Sequence, residues 1–298
     1  MASWSPWRAD CSTWWARSAG SARQGDQDAI EVLLDAGRVA SARAPGAAAR
    51  WYEAALRLLP SDDAERQVEV RVELASAQRS LGELELCRTT LLEAAGRLPA
   101  EAAIRRVELT ALCAAVEHWQ GRHEDAHRRL VRAWEELPDR STPEAAALQV
   151  ELTVDGLYEN DFDQTFTMGE GGLETARELG DRGLIAAAAS ALALGEAAAA
   201  RIDAAREHHA EALEQIERMD DAELANRLET LYYLGWAENY LERYDDAIAH
   251  AERGVAIARA IGEGRLLVPL MLVRAYPFEM QGRLTDCLLY TSDAADEL

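Results

Sequence analysis

The chain has 298 residues, of which 31 are basic and 53 acidic, and its net charge is −22. Such a charge repels the phosphate backbone that dominates nucleic-acid affinity, so we do not expect this segment to bind nucleic acid. All 31 basic residues are arginine. The absence of lysine excludes a phosphate-binding Walker A loop and Schiff-base catalysis.

The first twenty residues have no helical or strand periodicity, although they contain four of the eight tryptophans. They lack the apolar segment of a signal peptide. We interpret residues 1–20 as a doubtful or disordered N-terminus, either a shifted reading frame or a natural flexible end. The four cysteines are widely separated and form no CxxC pair, which favours a cytoplasmic protein. An apolar stretch at 184–200 is interrupted by Glu196, so we expect no membrane span.

From residue 21 to residue 286 the apolar residues recur with helical periodicity, and no segment alternates as a strand would. Proline, glycine and short polar residues mark the ends of the predicted helices. In chain order the helices are predicted at 26–40, 46–59, 61–81, 83–98, 101–120, 122–137, 143–159, 161–179, 181–199, 202–219, 221–241, 244–261 and 266–281.

A period of about forty residues relates these helices. Six equivalent points, spaced by 39, 39, 40, 42 and 40 residues, are Gly82, Gly121, Asn160, Ala200, Glu242 and Gly282. A small or short side chain lies seven residues before each point and another five after it, which lets two helices approach closely. One helical hairpin cannot bury its apolar face alone, so neighbouring hairpins must stack. We therefore predict an all-α, right-handed superhelix of antiparallel helix pairs over residues 21–286.

The spacing of six residues resembles the second half of a tetratricopeptide repeat: Gly121, His123, Ala126, Leu130, Ala133 and Pro138. The pair Leu234-Gly235 resembles the LG pair of the first half. Because the period exceeds the thirty-four residues of that family, the resemblance implies a tetratricopeptide-like array with longer helices.

Residues 123–127 spell HExxH, the pattern of a zinc hydrolase in which two histidines bind the metal and the glutamate acts as general base. His123, however, opens the second helix of a hairpin, and Ala126 is its small packing residue. We prefer repeat packing to a zinc site, and predict that the chain is not an enzyme and has no catalytic, cofactor-binding or metal-binding residue. The zinc hydrolase is the remote alternative.

The first helix of a tetratricopeptide hairpin lines a concave face through positions 2, 5, 9 and 12. Aromatic side chains interleaved with polar ones at these positions predict a groove for a ligand or a peptide. Counted back from Glu242 and Gly282, the candidate contacts are Glu229, Tyr232, Trp236, Asn239, Leu272, Tyr276 and Glu279, with Pro269 at the start of the second set. Packing of Tyr232 and Trp236 on neighbouring repeats is an equally good interpretation.

The last twelve residues, 287–298, closely resemble the conceptual translation of a transposase-type sequencing adapter. We interpret them as an artefact tail that interrupts the last repeat.

Residues 228–270, together with 44–60, resemble the helical-repeat region of actinobacterial LuxR-type large ATP-binding transcriptional regulators. The resemblance implies a fragment of such a regulator, which senses an effector or binds a protein partner. The ATPase and DNA-binding domains of those proteins are absent from this segment, so no functional residue is carried over. The alternative is a helical-repeat adaptor of another multidomain signalling protein, such as a cyclase-linked ATPase.

Overall fold

The computed structural model describes residues 23–41, 44–99, 102–261, 264–283 and 285. Within these ranges the chain contains helices and turns and no strand. The predicted all-α, tetratricopeptide-like fold of stacked helix pairs is confirmed. The segments 1–20 and 287–298 lie outside the described residues.

The chain divides into two compact units, Met1–Pro99 and Ala100–Leu298. Four described helices belong to the first unit: α1 (Gln27–Ser41), α2 (Pro45–Leu58), α3 (Ala64–Ser80) and α4 (Leu84–Arg97). Each packs on the next. Its core is formed by fully buried side chains such as Ile30, Tyr52 and Leu59.

The described part of the second unit contains ten helices. They are α5 (Ala103–Trp119), α6 (His123–Glu136), α7 (Pro143–Glu159), α8 (Phe162–Leu179), α9 (Arg182–Ala198), α10 (Ile202–Ile216), α11 (Asp221–Ala225), α12 (Glu229–Tyr240), α13 (Tyr244–Ile261) and α14 (Gly264–Met280). Connections of two or three residues join α5 to α6, α7 to α8, α9 to α10 and α12 to α13. Such short connections allow only antiparallel hairpins.

The first helices of successive hairpins form one continuous layer in the second unit. Helix α7 contacts α5 and α9, α9 contacts α12, and α12 contacts α14. Helix α9 is the most enclosed: it also packs on α8 and α10, and 13 of its 17 residues are buried. Its run of alanines makes this possible, because side chains that end at Cβ let several helices approach one backbone.

The six equivalent points of the period share one backbone feature. All have a left-handed conformation, with φ between 58° and 73°. In each turn the next residue's N–H donates to the carbonyl oxygen five positions earlier, at 2.7–2.9 Å, as Arg122 does to Glu117. This is the Schellman motif that ends helices. The forty-residue period therefore marks the turn of each hairpin.

One predicted helix is divided. Residues 221–241 form α11, a turn at 226–228, and α12. Across the turn the N–H groups of Arg227, Thr230 and Leu231 donate to carbonyls three residues earlier rather than four. The tighter bonds interrupt the α-helical ladder although the apolar periodicity continues through it.

Candidate binding site

A cavity of about 230 Å³ opens on the layer of first helices in the second unit. Four aromatic side chains from α5, α7 and α12 line it, and two apolar side chains of α14 complete the wall. The lining residues are Trp119, Tyr158, Tyr232, Trp236, Pro269 and Leu272. Trp119, Tyr158 and Leu272 are 39%, 41% and 52% exposed, so the cavity is open to solvent.

Small side chains of α9 explain how rings from α7 and α12 share one cavity. Helix α9 lies between α7 and α12, and it has Ser190 and Ala198 at the positions equivalent to Tyr232 and Tyr158. Tyr232 lies close enough to Tyr158 to affect the ionisation of its phenol. Burial raises the pKa of Tyr158 to about 12, with Tyr232 and Glu151 adding to the effect. Both phenols are therefore neutral at physiological pH.

Ring contacts hold Trp236 in place. Its ring centroid lies 5.5 Å from that of Tyr276 in an edge-to-face arrangement and 6.2 Å from that of Tyr240. Aromatic pairs at these distances add to the stabilisation from burial. Tyr232 contacts Tyr233 in the same edge-to-face manner, at 5.7 Å.

Three of the seven predicted groove residues line the cavity: Tyr232, Trp236 and Leu272, together with Pro269. Tyr276 lies behind Trp236 as its ring partner. Asn239 is 2% exposed, and its side-chain amide donates to the carbonyl oxygen of Val273 at 2.9 Å, which ties α12 to α14.

The two predicted glutamates lie outside the lining. Glu229 is half-buried in the first turn of α12, and Glu279 is exposed near the end of α14.

Trp119 and Tyr158 were not among the residues predicted from the sequence. Both lie two residues before a repeat point, which is one helical turn beyond the position of Trp236. Tyr240 has the same position in its own hairpin. An aromatic residue recurring at this position in three hairpins is the signal that would have identified them.

A second cavity of about 470 Å³ adjoins the first, because Tyr158 lines both. Its other lining residues come from the α5–α6 turn and the end of α7: Gly121, Arg122, His123, Glu124, Asp125 and Glu159. Arg122 forms an ion pair with Asp125 at 2.7 Å. The remaining charges of this cavity, Glu124 and Glu159, are both negative.

The two histidines of the HExxH motif have different partners. His123 Nδ1 lies 3.0 Å from His118 Nδ1, whereas His127 Nδ1 lies 2.7 Å from a carboxylate oxygen of Asp155. The imidazoles of His118 and His123 stack on Tyr158, with centroids 4.4 and 4.8 Å from its ring. Among the described residues, no group of three or more His, Cys, Asp or Glu side chains is arranged to hold a metal ion.

Buried polar pairs join the two helices of several hairpins. Among the described residues, four hairpins have a side chain near the end of the first helix that bonds to the side chain twelve residues later. The pairs are Gln78 with Thr90 at 2.8 Å, Glu117 with Arg129 at 2.7 and 2.9 Å, Glu196 with His208 at 2.7 Å, and Glu238 with His250 at 2.9 Å. Each buried acceptor thus receives the hydrogen bond that its burial requires.

The buried carboxylate of the α7–α8 hairpin, Asp155, has other partners. His127 Nδ1 and the side-chain amide of Gln164 lie 2.7 and 2.9 Å from its Oδ2, and His118 Nε2 lies 3.3 Å from its Oδ1. Burial alone would raise the pKa of Asp155, but these polar contacts outweigh it, so the pKa is lowered. In the α9–α10 hairpin, the hydrogen bond to Glu196 raises the pKa of His208 above its ordinary value.

The family described as Tetratricopeptide repeat matches residues 159–260, which extend from the end of α7 to the end of α13. No curated protein sequence matches the chain at a significant level. Among the described residues, every helix is too short or too polar to cross a bilayer.

Several solved structures resemble the chain. A Rap protein complexed with Competence and Sporulation Factor aligns with 91% of this chain and 77% of its own, at a TM-score of 0.56 and 13% identity. Aspartyl phosphate phosphatase F from Bacillus subtilis aligns with 83% of this chain and 67% of its own, at a TM-score of 0.51 and 11% identity. BtubC (BKLC) from P. vanneervenii aligns with 78% of this chain and 92% of its own, at a TM-score of 0.50 and 18% identity. Identities this low show a shared fold, that of stacked tetratricopeptide-like hairpins.

Proposed function

We propose that the second unit is a non-catalytic binding module that holds an extended segment of a protein partner, with one large side chain of that segment inserted between Trp119, Tyr158 and Trp236. The observation that carries the proposal is the convergence of four aromatic side chains, from three separate helices, on one open cavity. Tyrosine and tryptophan in desolvated pockets are the residues that most often dominate binding energy at protein interfaces.

The size of the cavity favours a side chain over a free small molecule. Pockets for drug-sized ligands span about 300–1,000 Å³ and enclose most of the ligand. This cavity measures about 230 Å³ and is open on one side. The adjoining cavity at the α5–α6 turn provides room for the neighbouring residues of a bound segment. The complex of a Rap protein with Competence and Sporulation Factor supports the view that this fold accommodates a partner.

In its natural context we place this module in the cytoplasm, as the sensor or interaction region of a LuxR-type ATP-binding transcriptional regulator. The resemblance of residues 228–270 and 44–60 to such proteins supports this assignment. Sequencing the DNA on both sides of the coding segment tests it. We expect a Walker A motif upstream and a helix-turn-helix downstream, whereas a cyclase domain would favour the adaptor alternative.

Selection from a random peptide library, with the full chain as bait, tests the binding function. We expect the enriched peptides to share one large side chain. Their affinity for the Trp236→Ala chain should fall at least about tenfold, which is the loss typical of an interface hot spot.

Trp134→Ala is the matched control, because it removes a second tryptophan, which lies on α6 and packs outside the cavity. Circular dichroism should show that both variants stay folded. Failure to enrich any peptide, or equal binding to both variants and the unsubstituted chain, would contradict the proposal.

A further inference from the structure

We infer that the side chain held in this cavity is the arginine of the partner segment, stacked against the aromatic rings. The inference rests on the proposed function and names the chemistry that the same site recognises. A guanidinium is planar and weakly hydrated, so it stacks on aromatic faces and loses less on leaving water than an ammonium group does.

The rings present the surface that such a cation needs. The two imidazoles stacked on Tyr158 leave one face of its ring without a histidine: the centroids of His118 and His123 lie 5.3 Å apart, whereas imidazoles stacked on opposite faces of one ring would lie nearly twice as far apart. Both imidazoles therefore occupy the same side of Tyr158. The face of an aromatic ring is its electron-rich side and attracts a cation placed over it.

The charges around the cavity have the sign that attracts a cation. Glu159 follows Tyr158 directly and lines the adjoining cavity, as does Glu124, which pairs with Arg128 at 3.8 Å. Glu151 is close enough to Tyr158 to raise the pKa of its phenol. On α12, Glu229 lies one helical turn before Tyr232, outside the lining of the cavity. A net charge of −22 extends this negative potential over the chain, and it would steer a basic segment towards the site.

The remaining wall suits the aliphatic part of an arginine. Pro269 and Leu272 present only apolar groups to the cavity. Arginine buries its methylene stem along apolar surface while its charged end stays on polar or aromatic groups. Within the described part of the chain, guanidinium groups already lie over aromatic rings: the guanidinium carbon of Arg201 is 4.1 Å from the ring centroid of Phe166, that of Arg140 is 4.5 Å from Trp134, and that of Arg283 is 4.6 Å from Phe278.

A pair of capped amino acids that differ in charge but hardly in shape tests the inference. The full chain, labelled with 5-fluorotryptophan, is titrated with N-acetylarginine amide, N-acetylcitrulline amide and N-acetylleucine amide. Fluorine NMR follows the signals of Trp119 and Trp236, which are assigned from the variants Trp119→Phe and Trp236→Phe. We expect the arginine compound to shift both signals and to bind at least about fivefold more tightly than the citrulline compound, because stacking of a desolvated cation accounts for the difference.

Tyr158→Leu should abolish this preference for the charged compound, since it keeps an apolar side chain and removes the ring. The matched control is Leu86→Ala, an exposed position of α4 in the first unit, which should leave the titration unchanged. Equal affinity for the arginine and citrulline compounds, tighter binding of the leucine compound, or no shift with the arginine compound would each overturn the inference.

These failures are distinguishable from failure of the proposed function. If the leucine compound bound best, the cavity would still anchor a partner's side chain, and the selected peptides would still depend on Trp236.

Discussion

The hairpins α3–α4 and α9–α10 solve one packing problem with different chemistry. Both place a polar group near the end of the first helix, where it is buried, and both satisfy it from the second helix twelve residues later. In the first unit the pair is neutral, Gln78 with Thr90, whereas in the second unit it is ionisable, Glu196 with His208. The comparison shows that a polar side chain buried at the first of these positions needs a hydrogen-bonding partner at the second. That partner can be neutral or charged, and burying a charge has a desolvation cost of its own.

The largest expected effect comes from breaking a charged pair. Arg129→Ala leaves the fully buried carboxylate of Glu117 without its bidentate partner, and we expect the free energy of unfolding to fall by about 3 kcal/mol. Thr90→Ala removes one neutral hydrogen bond from Gln78 and should cost about 1 kcal/mol. Urea unfolding followed by circular dichroism measures both. Equal losses would show that charge makes no difference at this position.

A smaller effect should depend on pH. Hydrogen bonding to Glu196 raises the pKa of His208 in the folded chain, with burial opposing it and Glu211 and Arg177 contributing in opposite directions. The stabilisation from this pair is therefore complete below the unfolded pKa, about 6.5, and is lost as the pH rises through the raised folded value. At pH 6, His208→Gln should lower the free energy of unfolding by about 1 kcal/mol, because a charged hydrogen bond is replaced by a neutral one.

Unfolding measured from pH 5.5 to pH 8.5 checks this prediction, and the difference between His208→Gln and the unsubstituted chain should narrow as the pH rises. Thr90→Ala is the control, because the neutral α3–α4 pair has no group that titrates in this range. A difference that stays constant with pH would contradict the assignment of charge to His208.

The smallest expected effect concerns the turns. Ala200 and Glu242 have φ of 59° without being glycine, whereas Gly121 has φ of 71°. Ala200→Gly should stabilise the chain by about 0.5–1 kcal/mol, because glycine adopts the left-handed conformation without steric strain. Gly121→Ala should destabilise it by a similar amount. Thermal unfolding of the two variants tests the pair, and shifts of the same sign would contradict it.

The fold was predictable because its period is tied to backbone geometry. Small residues before and after each turn identify the equivalent points even at Asn160, Ala200 and Glu242, where glycine is absent. The turn at 226–228 could not be predicted. The apolar periodicity continues through it, and no residue type in this segment indicates that its hydrogen bonds span three residues instead of four.

The candidate site was predictable only in part. Tyr232, Trp236 and Leu272 follow from counting positions along one tetratricopeptide helix. Trp119 and Tyr158 lie one turn beyond the position of Trp236 and one residue beyond the last of the four positions taken from the tetratricopeptide repeat, so counting those positions does not include them. The buried pairs were not predicted for another reason: a separation of twelve residues does not show which side chains of the two helices face each other.

One residue in each of several turns has two tasks. Glu117, Glu196 and Glu238 accept the Schellman hydrogen bond through the backbone carbonyl and join the second helix through the side chain. The stability of these hairpins therefore depends on a few buried positions. Exposed positions of the first helices do not stabilise the turns. Substitutions there can change which partner the cavity prefers without changing the geometry of any turn.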